Sequence, residues 1–113
     1  MNAVLTARID RLSTLVKETV KAAAVIGREF ELPILTEVML QNEAFVEKNG
    51  NVVRVLKEQV QTAEQGQIWS ALSELRYMFK HSLMLETVYD MQLHTRLRKL
   101  HLFISSAIEK IYL

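Results

Sequence analysis

Arg76-Tyr77-Met78-Phe79-Lys80-His81-Ser82-Leu83-Met84-Leu85-Glu86-Thr87-Val88-Tyr89-Asp90 is the stretch that decides the fold of this chain. Tyr77 and Phe79 alternate with Met78 at the two-residue period of a strand, Lys80 and His81 break that pattern, and helical spacing follows at once. His81 is thus expected at a strand-to-helix junction, where the unpaired N–H groups of a first helical turn suit an anion. Ser82 is the expected N-cap of a helix reaching Asp90, with Leu83, Met84, Thr87 and Val88 facing inward, and the plain alternative is a His81 that packs beside the hairpin and itself caps the helix.

Just upstream, Ile68, Ser70 and Leu72 alternate with Trp69 and Ala71. With a turn near Ser73 and Glu74, residues 67–80 read as a two-stranded hairpin. A hairpin alone is marginal in water, so its aromatic face must pack on helices. Trp69, Tyr77 and Phe79 are therefore assigned to packing rather than to stacking on bases.

Those helices precede and follow it. Leu5, Ile9, Leu12 and Val16 recur at spacings of four, three and four, and Ser13-Thr14 interrupts them as a fresh N-cap. Val20, Ala23 and Ala24 continue inward to Gly27, a C-terminal cap. Arg28 and Glu29 are expected on an exposed turn, with Phe30 returning to the core. Pro33 suits the first turn of a helix ending at Leu40. Residues 41–50 read as a loop with a turn of helix around Phe45. Asn51 caps a helix carrying Val52, Val53, Leu56, Val60 and Ala63, with Gly66 at its end. Leu93, Leu97, Leu100, Ile104, Ile108 and Ile111 form the seam of a long last helix, assigned to docking on the domain and on a following helical array.

Three glycines and one proline in 113 residues argue for helices with short connections, and 50% hydrophobic content suffices for a core. Cysteine is absent, so neither a disulfide framework nor a thiolate metal site forms, as fits a cytoplasmic protein. Fourteen basic against thirteen acidic residues leave a net charge of +1, too balanced to imply nucleic acid or an anionic membrane as partner. No apolar run is long enough to span a membrane. Both ends read as helical without caps, which suggests a segment of a larger protein.

The order helix, helix, helix, hairpin, helix, helix reads as a winged helix with a long helix appended. The expected fold class is mainly α, a winged-helix-like domain over residues 1–92 with a two-stranded β-hairpin wing and a C-terminal helix over 93–113. Leu5 to Leu12, Ala23-Ala24-Val25-Ile26-Gly27-Arg28-Glu29-Phe30, Ile68 to Leu83 and Tyr89 to Leu93 resemble the region behind the nucleotide-binding core of STAND-class signalling ATPases. The likeness is strongest to members that carry adenylate or guanylate cyclase domains or tetratricopeptide-type repeats. It spans about Val4 to Leu113 and is weakest between Gln41 and Asn51.

The resemblance implies a non-catalytic relay: a winged helix that transmits the nucleotide state of an upstream ATPase core to a downstream cyclase or repeat array. It also implies that His81, in its Phe-Lys-His context, meets the diphosphate of ADP bound on that upstream domain. The chain itself has no Gly-Lys-Ser/Thr phosphate loop, so the cofactor, ADP or ATP, belongs to the other domain.

Other signals have ordinary explanations. Lys80 reads as solvated. His94 and His101 lie seven apart with Arg98 between them, which opposes a metal site. Arg96, Arg98 and Lys99 form a basic patch, most often a solvated face, with docking of an acidic partner the minority reading. Met39, Met78, Met84 and Met91 are core or interface filler. Glu29 and Glu86 lack a paired carboxylate at catalytic spacing, which leaves no enzymatic site. Two alternatives remain: a structural adaptor that only holds domains together, and a DNA-binding winged helix reading through Arg54 and Lys57, whose charge Glu58 and Glu64 offset.

Overall fold

A computed structural model describes residues 3–113. The first stripe breaks where expected. Helix α1 covers Ala3–Asp10 and α2 covers Thr14–Ile26, because the Ser13 hydroxyl accepts the Val16 N–H at 3.3 Å and turns the chain. Buried along α2 are Val16, Val20 and the alanines 22–24, whose small side chains let other helices approach closely. Thr19 is buried with them and donates to the Leu15 carbonyl at 2.9 Å. At Gly27 the chain takes φ +144°, a conformation hostile to a side chain, as its N–H closes on the Ala23 carbonyl at 3.1 Å.

Strand β1, Glu29–Glu31, follows directly. The hairpin expected between residues 67 and 80 is present as β2 (Trp69–Ala71) and β3 (Arg76–Phe79), but it is part of a three-stranded antiparallel sheet, order β1-β3-β2. Glu29 therefore belongs to a strand rather than an exposed turn, although its side chain is exposed. Phe30 pairs with Tyr77 in register and enters the core as expected. The physical reason is that β3 has two edges, and the second is satisfied by the nearest extended segment.

Helix α3 spans Leu32–Leu40 with Pro33 in its first turn. Residues 41–50 hold more helix than expected: α4 covers Glu43–Asn49, capped by the Asn42 side chain accepting from the Phe45 N–H at 3.2 Å and anchored by buried Phe45. Gly50, at φ +63°, ends it. Asn51 caps α5, Val52–Gln65, through the Arg54 N–H at 3.2 Å. Val52, Leu56, Val60 and Ala63 are buried, whereas Val53 lies on the exposed side. The left-handed residue after α5 is Gln67, at φ +67°, not Gly66. The Ile68 and Gln67 N–H groups bond back to Ala63 and Glu64, at 3.0 and 3.1 Å, with Ala63 and Ile68 both buried.

Helix α6 is Ser82–Asp90 and α7 is His94–Tyr112. Two expectations change here. His81, not Ser82, occupies the N-cap, and Ser82 is the first helical residue. Leu83 is exposed, leaving Met84, Thr87 and Val88 as the buried set. On α7 the buried face is Leu100, Ile104 and Ala107, with Leu97 half-buried, while Leu93, Ile108 and Ile111 at the ends of the expected seam are exposed.

The architecture is mainly helical with one small sheet. α2 is the hub, packed on α3, α5, α6 and α7, and α7 runs along α3. The sheet closes one side through an aromatic cluster. Phe30 meets Trp69 edge-on at 4.7 Å and stacks on Tyr77 at 5.7 Å, and Trp69 meets Phe79 edge-on at 5.3 Å. The Trp69 indole N–H donates to the Val60 carbonyl at 3.0 Å, tying the sheet to α5. Met39 and Met84 are core filler and Met91 packs at its margin, whereas Met78, half-buried, lies on the face of β3 opposite Tyr77 and Phe79. Among the described residues, no helix is long and apolar enough to cross a membrane.

Candidate functional site

The geometry around His81 follows from the sheet. Lys80 directly follows β3, its N–H donating to the Ile68 carbonyl at 3.1 Å, and its ammonium meets the Gln67 side-chain oxygen, so this lysine is tethered to the loop after α5. One residue later His81 is still extended, at φ −132° and ψ 129°, and its carbonyl accepts the first bonds of α6 from Met84 and Leu85 at 3.1 and 3.3 Å. Its side chain does not cap the helix. The ring is exposed and has no hydrogen-bond or ion-pair partner among the described residues. The amides of Ser82 and Leu83, left without a side-chain cap, are donors beside it.

The rigid base under this junction is β3. Its first residue, Arg76, reaches Glu29 of β1 at 3.5 Å, and Tyr77 and Phe79 are locked into the aromatic cluster. Burial, reinforced by the Glu64 charge, raises the pKa of the Tyr77 phenol, so Tyr77 stays neutral. The junction itself is an open surface.

The other candidates scatter. Glu86 is exposed on α6. His101 faces Tyr89, with ring nitrogen and phenol oxygen 3.2 Å apart, and His94 is exposed at the start of α7. Among the described residues, no group of three or more His, Cys, Asp or Glu could hold a metal ion. On α5, Arg54 is drawn to Glu58 at 3.7 Å, while Lys57 stays exposed.

Tertiary structure splits the basic patch of α7. Arg96 turns inward and pairs with Glu18 of α2, its Nε buried without a partner among the described residues. Arg98 and Lys99 remain outside. Lys99 and Arg96 line a cavity of about 450 Å³ between α7 and the α3–α4 turn, with Ala44, Leu100 and Phe103 as its apolar lining. Gln41 ties its two sides together, donating to the Phe103 carbonyl at 2.8 Å. Sequence reasoning missed this cavity. The sequence signal was the basic cluster, but its partner surface lies more than fifty residues upstream.

Protein-family models, curated proteins and solved structures were compared with the chain, and none matches.

Proposed function

We propose that this chain is a non-catalytic regulatory domain of a larger cytoplasmic ATP-binding signalling protein. In this reading α2, α3 and α5 with the sheet act as a winged helix. They couple the nucleotide state of an upstream ATPase core to a downstream cyclase or repeat array. The observation that carries the reading is His81: an exposed, unpartnered imidazole on a rigid strand end, beside the free amides of a helix N-terminus. A diphosphate presented there by a neighbouring domain meets a ring donor and a positive dipole end together. The order of α2, β1, α3, α5, β2 and β3, with α4 inserted, supports the winged-helix part.

The test is ADP affinity of the protein joined to its nucleotide-binding domain, for wild type and His81→Ala. Loss of a charge-assisted hydrogen bond predicts about tenfold weaker ADP binding or more, with ATP affected less. Equal ADP affinities would remove the phosphate role.

The structural adaptor is the second reading. A groove of about 770 Å³ between α5, the start of α3 and the β2–β3 turn, lined in part by Leu32, Val53 and Leu75, favours it. A sensor changes the affinity of the core for one nucleotide over the other, and an adaptor does not. DNA binding has less support, since Arg54 lies against Glu58.

A further inference from the structure

From His94 to Leu102, α7 carries Arg96, Arg98, Lys99 and two histidines and not one carboxylate. Arg96 sits in the first turn, where a cation opposes the helix dipole, and Arg98 and Lys99 follow in the second. Glu18 offsets Arg96 alone. Arg98 and Lys99 have no ion pair among the described residues. Leu102, one turn beyond Arg98 on the same face, is 68% exposed. Next to them lies the cavity of about 450 Å³, in which Ala44, Leu100 and Phe103 offer apolar surface and Lys99 a charge.

We propose that this face of α7 and its cavity dock an acidic protein segment that carries one apolar anchor. The anchor enters the cavity, and flanking carboxylates pair with Lys99 and Arg98. Charge complementarity selects the occupant: uncompensated cations call for carboxylates, and the apolar lining calls for a leucine-sized side chain rather than a bare anion. Nucleic acid fits less well, because the net charge of +1 supplies little of the phosphate-neutralising attraction that dominates such binding, and the apolar lining has no use for a bare phosphate. A membrane surface fits less well too. The continuous apolar stripe of α7, Leu100, Ile104 and Ala107, is buried in the domain, and between His94 and Phe103 the one exposed large apolar side chain is Leu102.

A short fluorescein-labelled peptide with one leucine among glutamates serves as the probe, titrated by fluorescence anisotropy. Binding is expected for wild type and for Lys57→Glu on α5, and about tenfold weaker for the double variant Arg98→Glu, Lys99→Glu. Replacing the peptide's leucine by serine weakens it similarly. The double variant should melt close to wild type, since both side chains are exposed and without ion pairs among the described residues, which separates lost binding from lost folding. Failure of wild type to bind, equal binding by the double variant, or indifference to the leucine overturns the proposal. So does tighter binding to duplex DNA or to phosphatidylserine vesicles assayed in parallel.

Discussion

Phe30→Ala removes a ring that is 2% exposed and touches Trp69, Tyr77 and Phe79, with centroids at 4.7, 5.7 and 6.1 Å. Truncating a buried phenylalanine costs about 3–5 kcal/mol, and the aromatic pairs lost with it place this site toward the upper half, about 4 kcal/mol. A domain of this size is stable by roughly 5–15 kcal/mol, so the variant keeps its fold but loses a large share of its margin. The lone tryptophan, Trp69, lies against the deleted ring and reports unfolding by its emission. With a urea m-value of about 2 kcal/mol/M, the midpoint should fall by about 2 M, in step with far-ultraviolet circular dichroism. A shift below about 0.5 M would refute the placement of β1 against the sheet and the core. Non-coincident probes would show instead that the sheet unfolds apart from the helices.

Backbone conformation gives opposite outcomes at two positions. Gly27→Ala, at φ +144°, should cost about 1–3 kcal/mol in a denaturant melt, although its Cβ would meet nothing closer than the Glu29 carbonyl at 3.8 Å. Gln67→Gly, at φ +67°, should stabilise by roughly 0.5 kcal/mol, because glycine is the residue suited to the left-handed position after α5. Two phenols should titrate above their ordinary value of 10.0 when phenolate absorbance is followed: Tyr112, through its hydrogen bond to Glu31 and then burial, and Tyr77, through burial and then Glu64. A raised folded pKa means the proton is held more tightly in the folded state. The stability tied to it is complete below pH 10.0 and is lost as pH rises through the folded pKa. Tyr112→Phe should remove one of these two late titrations and leave that of Tyr77.

Local periodicity and capping determined most of the helices. Ser13 and Asn51 each hold a backbone N–H three residues on, and Val52, Leu56, Val60 and Ala63 share a face whatever lies opposite. The alternation of Trp69, Ala71, Tyr77 and Phe79 likewise made the hairpin legible, and the junction placed His81 between strand and helix. At that junction the identity of the cap was not legible. Ser82 is a stronger capping residue than His81, but the end of β3 pairing sets where the chain turns.

What tertiary structure decided are the features whose partners come from a distance. Glu29–Glu31 is too short to show a period and is a strand only because β3 offers it an edge. Ile108 and Ile111 continue a perfect seam yet stay exposed, while Ala107, off that seam, is buried. The cavity beside Lys99 exists because the α3–α4 turn reaches α7 and is held there by Gln41. Periodicity is a relation among residues within a turn or two, so a sequence carries it in full. Burial and cavities depend on which surface arrives opposite, and that is settled only when the whole chain has packed.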